Sequence, residues 1–177
     1  MGRSRYHIVE PTAPHFMTMT TVNWIPLFTR VATVEILLES FVYLQETRGL
    51  RLYGFVILEN HLHCIAQSDD LASSISSFKS YTAKIIIRYL ESQKAHRLLA
   101  QLALHKKRHK KDRNHQVWEE GVHPQWLQNE AMVRQKLEYI HQNPVKRGYV
   151  DKARHWRWSS ARNYELGEGV IEVFRDW

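Results

Sequence analysis

Hydrophobic and polar positions change their period several times along this chain, and each change marks an element. HFMTMTTV (His15 to Val22) alternates, with Phe16, Thr18 and Thr20 on one side and Met17, Met19 and Thr21 on the other, which predicts a strand. NWIPLFTR with Pro26 reads as a turn or ordered loop. From Val31 to about Thr47 the apolar residues Val31, Val34, Leu37, Leu38, Phe41 and Leu44 recur every three or four positions, a helix that Gly49 can stop. LRLYGFVIL then predicts a central strand, Glu59-Asn60 a tight break, and HLHCIAQ a second strand with period two. In it His61, His63 and Ile65 share one face while Leu62, Cys64 and Ala66 share the other.

Asp69 or Asp70 can cap a second helix whose stripe reads Leu71, Ile75, Phe78, Tyr81 or Thr82, Ile85 and Tyr89, continuing to about Leu99. Trp118, Val122 and Trp126 are possible anchors in the segment that follows the polar run 105–115, where Pro124 opposes a long helix. Asn129 can cap a third helix with Met132 or Val133, Leu137 and Ile140 facing inward, and Pro144 predicts its end near Gln142 or Asn143. The first fourteen residues read as an irregular arm, and the tail 151–177 as a segment packing across the domain. Strand, helix, strand, strand, helix is close to a split β-α-β, ferredoxin-like α+β fold, an antiparallel sheet with helices on one face. Its last strand is the least periodic element.

With 177 residues, one domain (residues 1–177, with a core of about 15–150) is the expectation. A single cysteine, Cys64, rules out an intrachain disulfide or a Cys-rich zinc module, and its place opposite the histidines predicts a buried small hydrophobe. No leader-like or membrane-spanning apolar run occurs, so a cytoplasmic, reducing setting and no membrane partner are expected. The formal charge of +7 favours a polyanionic partner. Most of it sits in HKKRHKKDRNH, residues 105 to 115, where six Lys or Arg against one Asp leave +5. This run is a candidate for sequence-independent phosphate contact through Lys106, Lys107, Arg108, Lys110, Lys111 and Arg113, or a plain solvated face.

The chemistry-bearing residues are few. His61 and His63 stand on one strand face, with successive same-face side chains ~6 to 7 Å apart, near enough to grip one divalent ion. Two histidines satisfied at a sheet edge would give the same spacing. Tyr139 and Asn143 lie four residues apart on the third helix and so face the same way. A tyrosine there could attack a phosphate, or simply pack its ring and bond its hydroxyl. Trp156 and Trp158, beside Arg157 and Arg162, could stack bases but are better placed to brace the fold.

FVILENHLHCI, FKSYTAKII, YIHQNPVKRGYV and WRWSS together resemble the REP-associated tyrosine transposases, single-tyrosine members of the bacterial HUH superfamily. The resemblance runs over roughly residues 15 to 164. It implies an HUH-type nuclease domain in which His61 and His63 bind Mg²⁺ or Mn²⁺. Tyr139 would form a 5′-phosphotyrosine with single-stranded or hairpin DNA, and Asn143 matches the position that completes the metal site. Lys146, Arg147, Arg157 and Arg162 join the basic run as expected DNA contacts.

The chain departs from the family pattern at VHPQWL, which replaces an aromatic and polar pair before the third helix, and in the long basic insertion 105–115. A metal-dependent endonuclease and strand-transferase is the first reading. A non-enzymatic hairpin binder and a nuclease using water are the alternatives. Monomer and dimer are both left open.

Overall fold

The computed structural model describes Ile8, Glu10 and residues 12–177. Much of the expected N-terminal arm (residues 1–7, 9 and 11) lies outside the described residues. Strand β1 (His15–Thr20), helix α1 (Val31–Arg48), strands β2 (Arg51–Ile57) and β3 (His61–Gln67), helix α2 (Leu71–Ser92), helix α3 (His96–Leu104), strand β4 (Gln125–Trp126), helix α4 (Glu130–Lys146) and helix α5 (Ala161–Glu165) follow in order. The strands form one antiparallel sheet in the order β2-β3-β1-β4, the ferredoxin-like arrangement. Strand β3 is therefore central, flanked on both sides.

Period two sorts the sheet into two faces. Met17, Met19, Leu52, Phe55, Leu62, Cys64 and Ala66 pack with Leu37, Phe41, Phe78 and Ile86 of α1 and α2. Phe16, Tyr53, Val56 and Ile65 point the other way and meet Val133, Leu137 and Ile140 of α4. Helices α1 and α2 make up the expected one-sided layer; α4, outside that topology, covers the opposite face. It can approach because β2 carries Gly54, where a Cβ would lie 2.5 Å from Leu137 Cδ2.

Gly49 stops α1 in the left-handed region at φ 61°, and Asp70 caps α2 by accepting from the Ser73 amide. Three details differ from the sequence reading. The buried stripe of α2 runs through Thr82, Ile86 and Leu90, so Ile85 and Tyr89 are only half-buried and Tyr81 is exposed. Three consecutive isoleucines (85–87) leave the register open to sequence inspection, and steps of four from Phe78 decide it. Helix α2 also ends at Ser92, not near Leu99. Lys94 turns the chain at φ 51°, and α3 swings Leu102 back into the core. Finally, Pro144 lies inside α4, buried in its last turn, and the helix reaches Lys146. Proline removes one amide there, while its carbonyl still accepts from the Tyr149 amide at 3.0 Å.

Strand β4 is two residues long, yet residues 117–127 follow β1 through irregular bonds. Val22 donates to Val117, Glu119 to Thr20, Thr18 to Val122 and Leu127 to Pro14. The tail lies along the free edge of β2. Its amide at Ser160 donates to Phe55, Ile57 donates to Trp158, and Phe174 donates to Leu52. Trp156 donates its indole N–H to the Ile57 carbonyl, and Trp158 packs on the main core, so both brace the fold.

Candidate active site

Strand β3 opens with the two histidines just as the sheet meets the Glu59-Asn60 turn. Both are nearly sealed by their neighbours, His61 at 3% and His63 at 6% exposure. Each ring is held by its Nδ1 atom. Asn60 Oδ1 accepts from His61 Nδ1 at 2.7 Å, and Thr18 Oγ1 lies 2.8 Å from His63 Nδ1. Thr18 is the direct cross-strand partner of His63 in the β1–β3 ladder. Asn60 Oδ1 can only accept, so His61 Nδ1 donates and its Nε2 keeps its lone pair, the form in which imidazole ligates metal; the Thr18 hydroxyl can accept from His63 Nδ1 in the same way.

Burial is the main reason that His61 is pushed down to about 4 and His63 to about 3. Arg147 adds to both shifts, and His61 further opposes protonation of His63. Both are therefore neutral at physiological pH. Their ring centroids are 5.0 Å apart and nearly perpendicular.

Helix α4 brings Tyr139 to the same place. Leu137 and Ile140 anchor the helix on the sheet, so Tyr139 falls at the margin, 41% exposed. Its ring meets His63 at 5.4 Å and Phe16 at 5.8 Å, both edge-on. Phe16 stacks on His63 at 5.4 Å, and the Lys136 ammonium sits over the Phe16 ring at 4.7 Å, with Tyr139 at 5.7 Å. The sequence-derived pair and tyrosine are thus adjacent in space. His141, further along α4, anchors it through a 2.9 Å bond between Nε2 and Ser160 Oγ, and burial lowers its pKa to about 4.

Asn143 is half-buried one turn after Tyr139, where its Oδ1 accepts from Arg147 Nε at 3.1 Å. Arg147 also donates to Glu59 Oε1 at 3.0 Å, while Glu59 Oε2 is buried without a partner. Among the described residues no group of three His, Cys, Asp or Glu is gathered for a metal. The donors that stand together are the two imidazole nitrogens, while the Asn143 amide oxygen and Glu59 are both engaged by Arg147. Two imidazoles are a partial ligand set, which a divalent ion such as Mn²⁺ or Mg²⁺ would complete with water or phosphate oxygens.

The basic run is a loop, and acidic residues downstream answer part of it. Lys107 pairs with Glu119 and Glu120; His109 and Lys110 contact Glu120; Arg113 pairs with Asp112. Lys106 donates to the Lys110 carbonyl. Arg108 and Lys111 are exposed with side chains unpaired among the described residues. Lys146 is exposed at the end of α4. Arg157 lies over the Trp158 ring, and Arg162 pairs with Glu168, both within the tail. Cys64 is fully buried on the opposite face of β3, with burial raising its pKa to about 12.

Sequence reasoning missed the residues that hold the histidines. Asn60 was expected only as a turn, and Thr18 only as a strand residue. Registering the two alternating strands so that their apolar faces match would have placed Thr18 opposite His63. Arg147 was expected as a phosphate contact, and its clasp on Asn143 and Glu59 had no local sequence cue.

No protein-family model matches the chain. A protein of Haemophilus influenzae, provisionally named a REP-associated tyrosine transposase, is 27% identical over 104 residues, 59% of this chain. The match spans 54%, about half, of that relative's length. A solved structure described as a REP-associated tyrosine transposase bound to a REP hairpin superposes with a TM-score of 0.66. It covers 98% of this chain and 95% of its own, at 20% identity. That likeness establishes the fold, and both findings agree with the resemblance carried by the four motifs. A Deinococcus radiodurans protein, with a TM-score of 0.44, is too distant to argue from.

Proposed function

We propose that this chain is a REP-associated tyrosine transposase, cleaving and rejoining single-stranded DNA beside a hairpin through a covalent 5′-phosphotyrosine at Tyr139. The observation that carries the reading is the contact between the Tyr139 ring and His63, on a face that two buried, adjacent imidazoles share. His61 and His63, with Asn143, would hold a Mn²⁺ or Mg²⁺ ion, which when bound would supply charge neutralisation at the nonbridging phosphate oxygens. The Tyr139 phenol oxygen attacks phosphorus, and the bond to the 3′ oxygen of the upstream nucleotide breaks. The phenolic proton ends on that oxygen as a 3′-hydroxyl. One phosphodiester is exchanged for another, so a later 3′-hydroxyl can reverse the step without a nucleotide cofactor.

The Lys136 ammonium over the Phe16 and Tyr139 rings stands a cation beside the proposed nucleophile, where it can meet a DNA phosphate. Thr18 and Asn60 keep the imidazoles turned for ligation. Hairpin DNA, seen with the solved relative, is the substrate we carry over, and the cytoplasm is where such DNA would be met. No helix among the described residues is long and apolar enough to cross a membrane.

The test is incubation with end-labelled hairpin oligonucleotides and Mn²⁺ followed by a denaturing gel. A protein–DNA adduct should form, vanish with chelator, and map by mass spectrometry to the peptide LEYIHQNPVK. An adduct on Tyr81 or Tyr149 would move the nucleophile. Cleavage without any adduct would favour water attack, and binding without cleavage would favour a hairpin binder.

A further inference from the structure

A second aromatic group borders the histidines from the side away from Tyr139. Trp24 is 59% exposed, and its ring meets His61 edge-on at 5.6 Å. Trp24, His61, His63 and Tyr139 thus form a row of rings with successive centroid separations of 5.6, 5.0 and 5.4 Å. Both ends of the row are open and its middle is sealed.

The backbone that presents Trp24 is unusual. Asn23 and Trp24 are both left-handed, at φ 50° and 55°. Asparagine tolerates that region, but for a bulky residue such as tryptophan it is a genuine outlier. Such strain persists only where surroundings impose it, and here they do. Asn60 Nδ2 donates to the Trp24 carbonyl at 3.2 Å while its Oδ1 holds His61. On the other side Asn23 donates its amide to Glu119 and contacts His105, at the root of the basic loop. The turn therefore ties an exposed ring to the candidate site and to the cationic loop at once. Packing does not call for the ring, since it is mostly in solvent.

We propose that Trp24 is a stacking platform for an unpaired nucleobase of the strand that crosses the His61–His63 pair. An indole face accepts any base, so the platform grips the strand beside the scissile phosphate without reading sequence. Phosphates flanking that base would meet the exposed cations of the 105–113 loop. This rests on the reading of the site as one for single-stranded DNA and adds a binding position to it.

The experiment measures binding of the full chain to labelled hairpin oligonucleotides bearing single abasic positions, using Trp24→Gly, Trp24→Phe and the parent chain, each with Tyr139→Phe to prevent turnover. Glycine removes the ring and suits a positive φ, so W24G should melt no lower than the parent. It should nevertheless bind about 5- to 150-fold more weakly, the equivalent of ~1–3 kcal/mol for one stacked base. W24F should keep most of the affinity. One abasic position should weaken the parent by a similar factor and leave W24G unaffected, because both changes remove the same contact. Unchanged affinity in W24G, or additive losses at every abasic position, would overturn the platform. The adduct assay on chains retaining Tyr139 separates the two ideas. An adduct with no coupling at Trp24 leaves the transposase reading standing and removes the platform. Coupling without an adduct keeps the platform and removes covalent chemistry. If the parent chain binds no single-stranded DNA, both fall.

Discussion

The two faces of one seven-residue strand have been put to opposite uses. On one side of β3, Leu62, Cys64 and Ala66 are fully buried under α1 and α2, in a core with Phe41, Phe55 and Phe78. On the other, His61 and His63 meet Phe16 and Thr18 of β1, Tyr139 of α4 and the turn at Trp24, and the Tyr139 and Trp24 rings open to solvent. The first face has two long helices over it. The second has one, anchored by three apolar residues, and its margin is left for chemistry. On the proposed function, stability and reactivity lie on opposite faces of a single sheet, so mutations on the two faces should fail in different assays.

The largest effect expected is complete loss of adduct in Tyr139→Phe with almost no change in fold. The ring keeps its contacts with Phe16 and His63, and the hydroxyl has no hydrogen-bond partner among the described residues. Thermal unfolding should therefore shift by no more than the equivalent of ~0.5 kcal/mol. A large drop in melting temperature would mean that Tyr139 belongs to the core side of the comparison. Phe41→Ala is the mirror experiment. That ring stacks on Phe78 at 4.5 Å and is fully buried, so its removal should cost ~3–5 kcal/mol of stability. Chain that remains folded should still form the adduct, because Phe41 packs with the residues of the opposite sheet face.

A smaller effect should couple the faces through α4. Gly54 lets the helix sit close to β2, and a methyl group there would fall 2.5 Å from Leu137 Cδ2. Gly54→Ala should destabilise by ~1–3 kcal/mol and slow adduct formation, since α4 must lift and carry Tyr139 away from His63. Denaturant melts and single-turnover rates read the two effects separately. Gly54→Ala with Leu137→Ala should recover part of the rate, because the clash is then removed.

How much of this was legible in the chain depended on whether a local period existed. HLHCIAQ displayed both faces of β3, and LEYIHQN put Tyr139 and Asn143 on one side of a helix, because strands and helices have fixed repeats. Neither could display Asn60 or Thr18, whose hydrogen bonds depend on how segments far apart in sequence come into register. β4 was hard to see because irregular backbone bonds, and only two ladder residues, hold 117–127 to β1. Pro144 was read as a stop, but the last turn of a helix can lose one amide bond where burial compensates. Trp24 gave no sign at all: an aromatic in a Pro-containing turn looks like an anchor, and only its backbone and exposure say otherwise.

The basic run shows the same limit, and it carries the smallest expected effect. Counted alone, residues 105–115 hold +5, which suggests that every Lys and Arg is available to phosphate. The fold returns Glu119 and Glu120 to the loop, and they engage Lys107 and Lys110, while Arg108 and Lys111 stay unpaired among the described residues. A cation already facing carboxylates displaces fewer counterions when a phosphate arrives. Each fully used cation contributes ~0.7 to the log–log salt slope on single strands. Arg108→Ala with Lys111→Ala should therefore flatten the slope by ~1.4, and Lys107→Ala with Lys110→Ala by less than half as much. Glu119→Gln with Glu120→Gln should steepen it, since it frees two cations without adding any. Binding titrations from low to moderate salt measure all three on one oligonucleotide. Equal flattening by the two lysine and arginine pairs would mean that DNA displaces the carboxylates on binding. No flattening in either pair would reduce the run to a solvated face.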